Sequence, residues 1–588
     1  MRRISSLQVL AAALLLASLA NAFPHEGMDM NMDMDMGSSH NETASKPASD
    51  EGPTSYFAYK EHVGTIFAHI ILMVLGWCFI LPIVTGAAVM LSVARSRYTI
   101  PTQFVFLIIN ALGLFFGIVY NASTPDLYEN NAHHKIGWIV TWVVVAQVVI
   151  GLIYAYSGHG RVKNGAAYER AAFLPVSAEN TMDHQQSYHE YRWSRDSGQG
   201  TERNSSSLQS RPSTPDGENG HLAKPEEDVE ESTPLAQGWL RNSVLDRFFA
   251  SRIPGLVSDR VLRILRVIYI ILDRIILPFG FIALSTGGVT YGGVFKAHGI
   301  FSGLAHFIKG GIFFWYGLVV LGRFMGCWAD FGWAWNVKPP QQVVGKSKSR
   351  VPTGEFIESA AIFTYGSTNV FLEHLGGWGG AWTPTDLEHL SIAIMFFGAG
   401  LCGMLLESKK VREWLNKTLL RPSSHVDNYD QPDPNWEAQS GVSINPMPAL
   451  IIFLLGIMMG SHHQESMVST MVHKQWGSLL AAGALARACT YVLFYIKPPT
   501  SYLPSRPPSE VVGAFCLISG GLIFMLSASD IMDVMDYYEL DAMFTFNVVV
   551  GLTCFIMAYE IIVIAIKAWA VKKESPSQSH PPSWLPAA

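Results

Sequence analysis

Residues 102–120, TQFVFLIINALGLFFGIVY, run for nineteen positions without a charged side chain. A helix of that length rises about 28 Å, close to the hydrocarbon thickness of a bilayer. Centred on Leu112, this run is one of eleven such apolar segments. The others centre on Val74, Val145, Ile276, Trp315, Phe363, Phe396, Phe453, Ala484, Ile518 and Ile556. Composition agrees: 588 residues are 49% hydrophobic and 15% charged, so a purely soluble chain of several domains is excluded. The expected fold is all-α, a polytopic integral membrane protein with eleven transmembrane helices. A net charge of −6 gives no nucleic-acid surface. The six cysteines lie in or at the inner ends of apolar segments with no CxxC spacing, so no disulfide framework is expected.

The opening MRRISSLQVLAAALLLASLANAFP combines two arginines, a short apolar run and an Ala20-Asn21-Ala22 cleavage pattern, which reads as a cleaved signal peptide over residues 1–22. A Met- and His-rich arm at 23–62 then begins on the lumenal or extracellular side. An odd number of spans places the C-terminus in the cytoplasm. The distribution of Lys and Arg agrees: Arg95 and Arg97, Lys346 and Lys348, Lys409 through Arg421, Lys497 and Arg506, and Lys572 and Lys573 all fall in expected inner loops. The outer loops from Glu373 to Asp386 and from Asp530 to Asp541 hold none. The sixth segment carries the weakest signal, because it begins with Glu355 and Glu358. Residues 158–260, with SGQGTERNSSSLQSRPSTPDGENG at their centre, are too polar to offset chain entropy by burial and read as a disordered cytoplasmic linker. They separate a three-span module, 63–157, from an eight-span domain, 261–570, followed by a tail, 571–588. Of four N-x-S/T sequons, this topology exposes Asn41 and Asn121 to glycosylation. The destination is a membrane of the secretory or endomembrane system, or the plasma membrane.

Thirteen of the nineteen histidines fall on the expected outer side or at outer span ends. Imidazoles gathered at one leaflet point to metal, heme or proton binding, although each one singly is also a common interfacial residue. His462, His463 and His473 flank a short outer turn, with His389, Glu388 and Glu373 in the neighbouring outer loop; three nitrogens plus a carboxylate or water suit Zn, Cu or non-heme Fe. In the arm, Met28, Met30, Met32, Met34 and Met36 supply soft thioether ligands that favour copper, as in the similar N-termini of high-affinity copper transporters. Met-Asp alternation also simply solubilises an arm. Within the spans, Lys309, Arg487, Asp273, Glu358 and Glu560 require partners, and a pairing of Lys309 or Arg487 with Glu358 or Glu560 is expected. Such pairs either fix helix packing or relay protons or ions.

The segment His69-IILMVLGWCFILPI and the later His133-His134-Lys-Ile-Gly-Trp resemble the transmembrane cytochrome b-561 superfamily over about 90 residues. That resemblance implies one b-type heme held by His69 and His134, with Arg95 at the basic end of the first helix. Phe106 stands where that superfamily has a histidine, so a second heme is not implied. Further on, Ala297-His298-Gly-Ile-Phe-Ser-Gly-Leu-Ala-His306, Asn369-Val-Phe-Leu-Glu373-His374, Leu387-Glu388-His389 and Met458-Met459-Gly-Ser-His462-His463-Gln464 resemble the fungal Ytp-type family. The polar-in-membrane pattern is also similar to the transmembrane protein 45 family. Neither of these two resemblances implies a reaction. The leading expectation is metal- or heme-linked redox or metal handling at the outer face, with a metal ion or electron donor as partner beside the lipid bilayer. The alternatives are a proton or cation transporter and a structural or sorting protein. Enzymatic activity is left open: no nucleophile elbow, phosphate loop, zinc-protease helix or dinucleotide fingerprint is present.

Overall fold

Helices form where the apolar runs place them, since a bilayer core offers no water to an open backbone. A computed structural model describes residues 55–82, 99–157, 259–296, 299–372, 381–419, 443–461, 464 and 466–574, and among these every regular element is helical. The signal peptide, the methionines of the arm, Asn41, Arg95, nearly all of the linker, Glu373, His462, His463 and the end of the tail lie outside the described residues.

In chain order the helices are α1 (Val63–Val74, continuing as a wider π-helical turn over Leu75–Ile80), α2 (Thr99–Ser123), α3 (Ala132–Ser157), α4 (Asp259–Gly292), α5 (Ile300–Met325), α6 (Gln341–Ser349), α7 (Gly354–Leu372), α8 (Pro384–Glu407), α9 (Lys409–Leu419), α10 (Met447–Gly460), α11 (Met467–Ile496), α12 (Ser509–Leu526), α13 (Ser529–Tyr537) and α14 (Ala542–Glu574). Among the described residues, nine helices are long and apolar enough to cross a membrane. The expected segments around Phe363 and Phe453 are helices too, α7 and α10, but they are not among the nine. α10 has only 14 residues, and α7 carries Glu355 and Glu358 in its first two turns.

α1 packs on α2, and α3 packs on α4. Their shared core holds Trp77, Phe106, Val140, Val144, Ile276 and Ala283, so residues from α4 complete the interior of the first three helices. Trp77 also donates its indole N–H to Asn110 Oδ1 at 3.0 Å, satisfying a buried polar group between α1 and α2. The larger core belongs to α5, α8, α10, α11, α12, α13 and α14, and centres on Trp476, Leu480, Ile518 and Leu321. Here backbones meet directly: a Cβ on Gly310 of α5 would lie 2.6 Å from the Gly521 carbonyl of α12. Small residues let helices in lipid approach closely enough to gain dispersion contacts. α5 then stops at Gly326, whose φ of 103° suits a residue without a Cβ; the Gly326 and Cys327 amides bond back to the Arg323 and Gly322 carbonyls. This stop leaves Arg323 in the last turn of α5.

Candidate functional site

Four helices bring five charged side chains together where α5 and α11 near their ends and α7 and α12 begin. Arg323 of α5 bonds Glu358 Oε1 at 2.5 Å and Glu355 Oε1 at 3.2 Å, both from α7. Arg487 of α11 reaches Glu358 Oε2 at 3.2 Å and donates its Nε to Glu510 Oε1 of α12 at 2.8 Å. Glu358 therefore bridges two guanidiniums. Tyr316 accepts from Arg487 Nη2 at 3.4 Å, and Thr490 donates to Glu510 Oε1 at 2.7 Å. All five charged side chains are 9% exposed or less, and such groups are tolerated only when paired. Three carboxylates face two guanidiniums, so full ionisation leaves one negative charge in excess. Glu510 Oε2 is buried and has no hydrogen-bond partner.

A cap of loop residues closes this arginine end. The Trp335 ring lies under both cations, 4.4 Å from the Arg323 guanidinium carbon and 4.7 Å from that of Arg487, a cation–π arrangement on a desolvated ring. Trp335 sits at φ 57°, unusual for a bulky residue, and is buried against Tyr491 and Phe494. Asn336 holds it there by donating to the Ala329 and Tyr502 carbonyls at 2.9 and 2.8 Å, and the Trp333 carbonyl accepts from Arg323 Nε at 2.7 Å. Lys338 in the same cap donates to the Val351 carbonyl; burial, then the nearby Lys409 charge, holds its ammonium below the usual lysine range.

The other end of the same helices carries histidines. On α5 the positions His306, Lys309, Phe313, Tyr316, Val320 and Arg323 follow three- and four-residue spacing, and on α11 so do His473, Trp476, Leu480, Gly483, Arg487 and Thr490. One stripe of each helix therefore leads from an imidazole to a guanidinium, about 25 Å along α5 and about 21 Å along α11. His306 lies within electrostatic reach of His389 of α8, His473 and Lys309. Its Nδ1 meets the Ser302 carbonyl at 2.7 Å, and His473 Nδ1 meets the Ser469 carbonyl at 2.9 Å. Between the two ends, Trp476 and Phe524 stack with ring centroids 4.1 Å apart, and Phe524 also touches His306 and Phe313.

Of the residues singled out from the sequence, Arg487 and Glu358 do pair. Glu560 lies apart from them on α14, beside Gly322, with Oε2 buried and without a partner. Asp273 is buried between α4 and α3, accepting from Gln147 at 3.2 Å. Of the expected metal set, His389 and His473 each lie within electrostatic reach of His306; among the described residues no group of three His, Cys, Asp or Glu is spaced to hold a metal ion. In the first helices, His133 rather than His134 meets His69, with ring centroids 6.1 Å apart. Their Nδ1 atoms bond the Gly113 and Ala283 carbonyls at 2.8 and 3.1 Å. His134 is exposed. Sequence reasoning names none of Arg323, Glu510, Trp335 and Glu355 as site residues, and Glu355 marks the weak start of the sixth span. The available signal was an arginine in the last turn of an apolar helix and glutamates in the first turns of two others.

Residues 279–568 match the model of the family described as "Protein YTP1-like, C-terminal", and residues 50–157 match a domain of unknown function (DUF2427). An uncharacterized membrane protein of Schizosaccharomyces pombe is 35% identical over 525 residues, 87% of this chain and 96% of the relative. An uncharacterized membrane protein of Saccharomyces cerevisiae is 43% identical over 288 residues, 47% of this chain and 44% of its own length. Protein YTP1 of Saccharomyces cerevisiae is 24% identical over 171 residues, 29% of this chain and 30% of its own. No solved structure matches. The first relative aligns across nearly its whole length, and the YTP1-like match takes in Arg323, Glu355, Glu358, Arg487 and Glu510 together, so this multi-pass chain belongs to the YTP1-like family of fungal membrane proteins.

Proposed function

We propose that this chain is a proton-linked membrane transporter in which the arginine end of the bundle holds an exchangeable proton and the histidine end supplies it. One observation carries the reading: α5 and α11 each join an imidazole to a guanidinium along a single stripe, with the stacked Trp476 and Phe524 rings lying between. Imidazole is the side chain best suited to take up and release protons near neutral pH. At the other end, three carboxylates against two guanidiniums become neutral on gaining one proton. Because Glu358 joins α5 to α11 through α7, a proton arriving there weakens contacts between helices and changes their packing. The stripe positions between the two ends include Phe313 and Val320 on α5 and Trp476, Leu480 and Gly483 on α11, which carry no ionisable group, so transfer requires that packing change. The expected orientation puts the histidines outside and the arginines at the cytoplasmic face.

The test is the purified chain in vesicles with a trapped pH-sensitive dye and a potassium diffusion potential. Potential-driven acidification should appear with the wild-type protein and fall to near background in Glu510→Gln and His306→Ala. Wild-type vesicles that behave like empty ones at every imposed pH gradient would leave the network a packing device only.

The facing of His69 and His133 favours a second reading, metal- or heme-linked redox chemistry. A carbonyl can only accept, so each Nδ1 carries the hydrogen and each neutral ring keeps its Nε2 lone pair. Two such nitrogens on separate helices, from His69 and His133, would hold one b-type heme, which when bound would supply one-electron transfer. A reduced-minus-oxidised absorbance spectrum decides it: a heme band should be lost in His69→Ala and His133→Ala and kept in His134→Ala.

A further inference from the structure

Between residues 408 and 419 the chain leaves the spanning helix α8 and forms a short helix of different character. Ser408 is extended (φ −70°, ψ 113°) and breaks the axis of α8. The break is held by the Arg412 amide on the Ser408 carbonyl at 3.1 Å and by Arg412 Nη2 on the Glu407 carbonyl at 3.3 Å. The helix that follows, KKVREWLNKTL, places Val411, Trp414 and Leu415 on one face by i, i+3, i+4 spacing. Lys409, Lys410 and Arg412 are exposed, and Lys417 belongs to the same helix; Glu413 is its one acid. Trp414 is 64% exposed and Leu415 60%, high values for large apolar side chains within one turn. Leu405 and Leu406, in the last turn of α8 just before the break, are exposed as well. That last turn ends a helix long and apolar enough to cross a membrane, and exposed leucines there suit contact with lipid chains.

We infer that α9 is an interfacial helix that binds the anionic headgroups of the leaflet at which α8 ends, with Trp414 and Leu415 inserted among the upper acyl carbons and Lys409, Lys410 and Arg412 against the phosphates. Three observations converge on a lipid surface rather than another protein. The apolar face follows within ten residues on exposed leucines that end a helix long and apolar enough to cross a membrane. Its aromatic is tryptophan, which settles at headgroup depth. Its polar face is basic, and each Lys or Arg close to an anionic surface adds an increment of attraction that salt screens. Lys338 of the cap over the buried arginines lies close enough to Lys409 for their charges to interact.

The test is hydrogen exchange on the full-length protein in nanodiscs of phosphatidylcholine alone and of phosphatidylcholine mixed with phosphatidylserine, with α12 amides as the folding control. Exchange at 409–419 should slow by roughly tenfold or more when phosphatidylserine is present. The slowing should disappear at high salt and in the triple variant Lys409→Gln/Lys410→Gln/Arg412→Gln, while Trp414→Ala should reduce protection in both lipids. Equal exchange in the two lipids, with α12 unchanged, overturns the assignment. Protection already complete in detergent without lipid overturns it too and gives the face to another part of this chain.

Discussion

Glu358 answers to two guanidiniums at once, and that is the most consequential residue-scale feature of the molecule. Removing one member of a buried pair strands the others, so Arg323→Ala should cost about 3–5 kcal/mol, read as a lowered melting temperature in detergent. Glu510→Gln should be near neutral in the same melt, because it removes the surplus charge while keeping an oxygen for Arg487 Nε and Thr490. Together with its expected loss of proton flux, that variant separates function from stability. Part of this was legible in one dimension: a lone charge in lipid needs a partner, which pointed to Arg487 with Glu358. The rest was not. His133 and His134 differ by about 100° of helix rotation, and nothing local says which ring turns toward His69.

At the scale of elements, α5 and α12 are joined by backbone contact through Gly310 and Gly521, and this juxtaposition brings Arg323 and Glu510 to the same end of the bundle. A side chain there must push the helices apart. Gly310→Leu or Gly521→Leu should therefore destabilise by about 1–3 kcal/mol or prevent assembly, seen as loss of monodisperse protein on size exclusion. Gly551→Ala, where an added Cβ meets nothing within 4 Å, should be tolerated. The helix positions themselves were readable, since crossing a bilayer demands a long apolar run that any window along the chain detects. α7 is the instructive exception. Its two glutamates dilute the apolar signal because Arg323 and Arg487 neutralise them, and those partners come from distant parts of the sequence.

Across the whole molecule, the first helices and the later ones are tied by packing as well as by the chain. Ile276 of α4 is fully buried in the core shared with α1–α3, and Tyr559 of α14 donates to the Phe79 carbonyl at 2.5 Å. A protease site inserted near residue 200 should thus leave two fragments that co-purify in detergent. Ile276→Ala should cost about 2–5 kcal/mol and weaken that association, measured by the fraction of the N-terminal fragment retained. The sequence by itself determined that the chain is helical and membrane-embedded, because both depend on how many apolar residues stand consecutively. Only the tertiary structure decided that the densest chemistry lies at the end opposite the histidines, that Trp335 lies beneath two arginines, and that His133 faces His69. Those outcomes depend on the rotation and order of helices far apart in the chain, which burial and pairing settle only when all the helices are in place.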